Sequence, residues 1–210
     1  EPPNGVVGTP YTHTYTADGD ATITYEVTSG FLPDGLSLST AGVISGTPTQ
    51  GGEFTGTVLA SNSAGDDFQN FTIFIGSPPS FTSNPAPDGI IDTPYNHTFT
   101  ADGDGTINFG LLSGNLPDGL TLATNGDLTG TPTVGGTFSG VIEAANGVGT
   151  STQSFEIFIA TPPTITSAAP AGGVLNTPYT HTFTADGDTP ITYAVTSGAL
   201  PDGLSISGDQ

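Results

Sequence analysis

Leu32-Pro33-Asp34-Gly35-Leu36 returns as Leu116-Pro117-Asp118-Gly119-Leu120 and again as Leu200-Pro201-Asp202-Gly203-Leu204, each copy 84 residues after the last. The flanks keep the same step. Thr-Pro-Tyr starts at Thr9, Thr93 and Thr177, and Ala-Asp-Gly-Asp at Ala17, Ala101 and Ala185. Ser45-Gly46-Thr47-Pro48-Thr49 becomes Thr129-Gly130-Thr131-Pro132-Thr133. Self-similarity at a fixed step marks a repeat architecture, in which one unit is copied along the chain. Three units follow, at 1–76, 77–160 and 161–210. The middle unit is complete. Aligned on it, the first lacks its opening strand, and the third stops after its Leu-Pro-Asp-Gly-Leu strand. A half sandwich exposes an apolar face and unpaired edges. The alignment therefore predicts a longer array, or a neighbouring chain that completes the sandwich by strand addition. In one such arrangement the strand from Thr164 to Ser167 completes the first unit of another chain.

The local pattern is that of strands. Gly, 31 residues, and Pro, 18, punctuate the chain at regular positions, with short alternating runs of Thr, Val, Ile and Phe between them. This is the signature of a sandwich or barrel of many short strands. In the middle unit the alternation predicts strands over 80–83, 92–101, 106–112, 120–123, 127–130, 137–145 and 151–159. Tyr95, His97, Phe99 and Ala101 share one face of the second. Ile107, Phe109 and Leu111 point inward from the third, and Leu120 and Leu122 from the fourth. Phe138, Ile142 and Ala144, then Phe155, Ile157 and Ile159, complete the core. Short turns between about seven strands imply antiparallel pairing in two facing sheets. Gly56 and Gly140 fall on the inward face of their strand, which predicts a large side chain, an aromatic, packed against each from across the core. The joints Gly76-Ser77-Pro78-Pro79 and Ala160-Thr161-Pro162-Pro163 are short, and paired Pro favours stiff, extended backbone. The units should form a rod of restricted bending.

Charge narrows the function. There is no Lys, no Arg and 20 Asp or Glu, a formal net charge of −20 at pH 7. No Lys/Arg salt bridge can form, so each carboxylate must be met by backbone N–H, a hydroxyl, water or a cation. A field of one sign opposes phosphate backbones and anionic lipid. Nucleic acid is thus excluded as a partner. No apolar run reaches the length of a membrane span, so no membrane insertion is expected within these residues. Cys is absent, which removes disulfides and thiolate metal sites.

The motifs Thr-Pro-Tyr-x-His-Thr-Phe, Leu-Pro-Asp-Gly-Leu-Ser-Leu, Gly-Val-Ile-Ser-Gly-Thr-Pro-Thr and Gly-Gly-x-Phe resemble the He-PIG Ig-like repeats of microbial surface proteins, relatives of the cadherin-like sandwiches. Gly42–Thr49 carries the hallmark in the first unit and Gly126–Thr133 in the second. The resemblance implies an all-β fold of tandem Ig-like (cadherin-like) antiparallel β-sandwiches in an extracellular, cell-surface setting. It implies structural and adhesive work as a rod or filament, and the half sandwich adds polymerisation by strand addition between chains as an expectation. Its partners would be further copies of itself, surface glycans or other cells. Two alternatives stand beside this: a spacer or carbohydrate-binding module of a secreted polysaccharide-active enzyme, and a Ca²⁺-dependent adhesin.

Few residues suggest chemistry. His13, His97 and His181 are the only His residues and hold one repeat position, so each unit offers a single imidazole. A strand residue between two aromatics is the expected role. The pairs Asp18/Asp20, Asp102/Asp104 and Asp186/Asp188 recur in a Gly-rich turn. Such carboxylates could help hold Ca²⁺, which takes six to eight oxygens, although Asp and Gly also make tight turns unaided. No cofactor is required by any motif. Acids in solvated turns do not suit the paired-carboxylate chemistry of glycoside hydrolysis, and no enzyme activity is expected. Asn70-Phe71-Thr72 and Asn96-His97-Thr98 fit the N-glycosylation pattern. Phe74 and Phe158 alternate against the inward residues of their strands and should face out, either as lateral contacts to a neighbouring chain or under the cover of a loop.

Overall fold

The structure, a computed structural model, describes residues 1–20 and 22–206. The first unit runs through β1 (Gly5–Val6), β2 (Tyr11–Thr14), β3 (Thr24–Gly30), β4 (Leu36–Leu38), β5 (Val43–Gly46), β6 (Gly52–Asn62) and β7 (Gly65–Gly76). The second holds β8 (Ser80–Phe81), β9 (Gly89–Ile90), β10 (Tyr95–Thr98), β11 (Ala101–Asp102), β12 (Asn108–Gly114), β13 (Leu120–Leu122), β14 (Asp127–Gly130), β15 (Gly136–Ala145) and β16 (Thr150–Ala160). In the third, β17 (Thr164–Ile165) pairs with β18 (Ala185–Asp186). No helix occurs among the described residues, and so none is long and apolar enough to cross a membrane.

Each of the first two units has a four-stranded sheet, β1-β7-β6-β3 or β9-β16-β15-β12, and a three-stranded sheet, β2-β5-β4 or β10-β14-β13. The core of the middle unit lies between them. Phe109, Ile142, Ala144, Phe155, Ile157 and Ile159 come from the larger sheet and Tyr95, Leu120 and Leu128 from the smaller. The first unit repeats this with Tyr11, Ile44, Val58, Phe71, Ile73 and Ile75. Period-two alternation produces the pattern: along β16, Phe155, Ile157 and Ile159 are buried while Glu156 and Phe158 are exposed.

The repeated pentapeptide is a corner. Leu36 N–H donates to Pro33 O at 3.0 Å, and Leu120 N–H to Pro117 O at 3.0 Å. Gly35 and Gly119, the third residues of these turns, have φ of 89° and 91°, as a type II turn requires. A Cβ on Gly35 would run into Thr47 O, and one on Gly119 into Thr131 O. The corner is strapped to the Gly-Thr-Pro-Thr segment by Thr49 N–H to Asp34 O and Thr133 N–H to Asp118 O, both 2.9 Å. Pro33, Pro48, Pro117 and Pro132 are fully buried there. The two motifs that recur most faithfully in the sequence are therefore two halves of one contact.

Four expectations are corrected. First, pairing is not all antiparallel: β1 runs parallel to β7, with Gly5 opposite Ile75, and β9 parallel to β16, with Gly89 opposite Ile159. Second, the strand expected over 92–101 is broken. β10 pairs with β14 and β11 with β8, so the chain changes partner between Thr98 and Ala101. Third, Leu111, expected to point inward, is 41 % exposed. The ladder between β12 and β15 shifts register just after it, between Leu111 and Ser113, and a bulge of this kind re-aims the side chains that follow. Fourth, the aromatic against each inward Gly comes from the adjacent strand of the same sheet. Phe71 is paired with Gly56, and Phe155 with Gly140. Each ring lies where a Gly Cβ would be, at 2.6 Å for Phe71 and 2.9 Å for Phe155.

Candidate functional site at the joint between units

The joint is built from the turn that holds the aspartate pairs. Asp104 follows β11, and its Oδ2 accepts the N–H of Ser77 at 2.7 Å. Ser77 O in turn accepts the N–H of Asp104 at 3.0 Å. Asn146, from the loop between β15 and β16, adds a third hold: its Nδ2 donates to Ser77 O and to Asp104 O, both at 2.9 Å. Its Oδ1 accepts Val148 N–H at 2.9 Å and Gly149 N–H at 3.0 Å, which fixes the loop that carries it. Val148 lies against Gly76, the last residue of β7, so closely that a Cβ there would be 2.8 Å from it. Linker backbone, a carboxylate and a carboxamide thus form one closed network, and a hydrogen bond to an ionised acceptor is among the stronger kinds. The second joint repeats the first part. Thr161 N–H donates to Asp188 Oδ2 at 2.6 Å, and Asp188 N–H to Thr161 O at 2.9 Å.

This gives Asp104 and Asp188, the second aspartates of the last two Ala-Asp-Gly-Asp copies, a defined partner. Asp102 lies on β11, and with Asp104, Ser77 and Val7 it lines an open crevice of about 430 Å³ at the joint. Asp18 and Asp20 are exposed in the first unit, and Asp186 lies on β18 with its side chain exposed. Among the described residues no three His, Asp or Glu side chains gather as a metal site would need. The residue that sequence reasoning missed is Asn146. Its signal was present: Asn62-Ser63-Ala64-Gly65 and Asn146-Gly147-Val148-Gly149 stand at the common step. Asn62 Nδ2 donates likewise to Asp20 O at 2.7 Å, and Asn62 Oδ1 accepts Ala64 N–H and Gly65 N–H. Replacing Asp104 by Ala strips Ser77 N–H of its charged acceptor. Exchange of that amide with solvent deuterium should accelerate about ten- to a hundredfold, matching the worth of a hydrogen bond to an ionised group.

The remaining sites are scattered. Phe74 and Phe158 face outward, 40 % and 38 % exposed, from β7 and β16. Asn70 on β7 and Asn96 on β10 are exposed, and Asn70 Oδ1 accepts the Thr57 hydroxyl at 2.9 Å. His97 is edge-on to Phe99, with ring centroids 4.7 Å apart, and its buried Nε2 has no hydrogen-bond partner. Burial lowers its pKa from the ordinary 6.5. The unfolded chain therefore takes up a proton that the fold resists, and stability falls as pH drops below 6.5 toward the depressed folded value. His97→Leu should flatten the melting temperature of the middle unit across pH 6.5 to about 5, a window above ordinary carboxylate titration.

The He_PIG family, described as "Putative Ig domain", matches residues 1–76 and 78–160. Among solved structures, extracellular domains 3–5 of Drosophila OTK align at TM-score 0.51 and 17% identity, over 76% of this chain and 60% of that one. A titin I-band fragment, I67–I69, aligns at TM-score 0.43 and 16% identity, over 78% and 65%. A protein of Bacteroides fragilis described as a putative alpha-galactosidase/melibiase is 30% identical over 39% of this chain, at TM-score 0.35, and the match spans 17% of its length. No curated protein matches. Tandem Ig-like domains of this kind are typical of extracellular proteins and are typically non-catalytic. With the family matched over the first two units, the chain is a member of the He_PIG Ig-domain family.

Proposed function

We propose that this chain is part of an extracellular rod or filament on a microbial cell surface, structural and adhesive in role. The observation that carries this reading is the repeated clamp at the joints: Asp104 on Ser77 and Asp188 on Thr161. A loose linker needs no such holds. Paired Pro stiffens the backbone, and the carboxylate and its returning N–H fix the angle at which the next unit leaves. The negative charge of −20 keeps parallel rods apart in solution. Surface glycans or other cells are the natural targets of such a rod. The outward Phe74 and Phe158 offer each unit one apolar point of lateral contact.

Electron micrographs of the 210-residue protein at neutral pH are the test. Straight particles with a regular unit spacing, single or joined into filaments, support the reading. Particles that curl freely between units would remove it. Ca²⁺ is not needed by a clamp made of carboxylate, carboxamide and backbone.

A further inference from the structure

The chain holds three Asn-Gly pairs: Asn4-Gly5, Asn125-Gly126 and Asn146-Gly147. In such a pair the glycine N–H can attack the carboxamide carbon before it and close a five-membered ring. Glycine has no side chain to hinder the approach. The fold shuts this route at Asn125. Gly126 is buried, its N–H donates to Ala123 O at 2.9 Å, and its φ of 94° sets it against Phe99 O. Asn125 Nδ2 is also tied to Asp127 Oδ2 at 2.7 Å. Gly5 is held in β1, opposite Ile75.

Asn146-Gly147, in the loop that clamps the joint, is built the other way. Gly147 is exposed, and nothing stands within 4 Å of the place a Cβ would take. Among the described residues its N–H has no protein acceptor. Asn146 Oδ1 accepts Val148 N–H at 2.9 Å and Gly149 N–H at 3.0 Å. The oxygen that gains charge as the ring closes therefore already sits before two backbone donors, at the distances an oxyanion needs.

We propose that Asn146 is a self-deamidating site that unclamps the joint between the first two units as the protein ages. This deepens the rod reading above and rests on it. Gly147 N bonds to Asn146 Cγ and gives up its proton. The Cγ–Nδ2 bond breaks, and Nδ2 leaves as ammonia, taking up a proton through solvent. Water then opens the cyclic imide at either carbonyl, leaving aspartate or its β-linked isomer. Both products put a carboxylate where the carboxamide stood. Asn146 Nδ2 is the donor to Ser77 O and Asp104 O, and an ionised carboxylate has no proton to donate. Two carbonyl oxygens would then face an anion, in a chain of net charge −20 with no Lys or Arg to offset it. Hydrolysis does not run back to the amide, so the change is one-way. In the first unit Asn62 is followed by Ser63, whose side chain hinders the same attack, so the hold of Asn62 on Asp20 O outlasts that of Asn146.

The test ages the 210-residue protein in mildly alkaline buffer, which helps the N–H give up its proton. A protease specific for aromatic residues then cuts it, because a chain without Lys or Arg offers trypsin no site. Fragment masses show which amides have become acids. Asn146 should convert at least about tenfold faster than Asn125, the worth of the Gly126 hydrogen bond that must open first. In denaturant, where that bond is gone, the two should convert alike. Folded protein in which Asn146 is preserved as well as Asn125 overturns the proposal. The consequence is read from Asn146→Asp, which makes the product directly. Deuterium exchange at Ser77 N–H should rise about tenfold over the parent chain, and an unchanged rate overturns the unclamping. Failure of the rod reading looks different: particles of fresh protein that curl freely while Asn146 is still an amide.

Discussion

Gly119→Ala lowers the stability of the middle unit by about 3–4 kcal/mol, combining a left-handed φ with backbone overlap. Two causes act at one atom. The residue holds φ at 91°, where an L side chain is strained, and its new Cβ meets Thr131 O. That oxygen cannot step aside. Thr131 N–H is bound to Gly119 O at 3.2 Å, and Pro132 beside it is fully buried. For a domain of this size each kcal/mol moves the melting temperature by roughly 4–8 °C, so the loss should exceed about 12 °C. Calorimetry of the full chain measures it. Gly147→Ala, in a loop where an added Cβ meets nothing within 4 Å, is the control and should leave the transition in place.

Gly140→Ala comes next, at about 2–3 kcal/mol, the range of overpacking in a filled core. The added methyl would be 2.9 Å from the ring of Phe155 and would also press on Ser113 O. Phe155 is 4 % exposed and has nowhere to turn. Phe155→Leu shortens the side chain above Gly140 and should recover part of the loss when the two changes are combined. Coupling between such neighbours typically reaches 0.5–3 kcal/mol. Additive losses would show that the ring does not depend on the bare Gly beneath it. Chemical denaturation of the two single variants and the double variant gives the comparison.

These two glycines also show what could be read in advance. The fold was legible where one residue's chemistry decides one local geometry. Gly119 after Pro117-Asp118 spells a turn, and the alternation through Phe155, Ile157 and Ile159 spells a buried face. An inward Gly140 announces a large neighbour, but alternation says only which face a side chain takes, not which strand lies beside it. The ring therefore sits on the adjacent strand, and β9 could join β16 in parallel without leaving a mark in the pattern. The bulge after Leu111 was hidden for the same reason, because Leu111 and Leu112 are equally apolar.

The joint was half legible. Pro78-Pro79 announces stiff backbone, and Asp102-Gly103-Asp104 announces a turn with carboxylates to satisfy. What satisfies Asp104 is a backbone N–H 27 residues upstream, and the Asn146 that completes the hold lies 69 residues beyond Ser77. Backbone donors carry no sequence signature, so a carboxylate bound to one looks like a carboxylate awaiting a cation.

A clamped joint holds two units at one distance. Spin labels at Glu26→Cys and Gly110→Cys put equivalent exposed positions of the first two units on one distance measurement, in a chain with no other thiol. Pulsed electron resonance should return a single narrow distance distribution that broadens when Asp104 and Asn146 are both replaced by Ala. A broad distribution in the parent chain, or one that the double replacement leaves unchanged, would contradict the account.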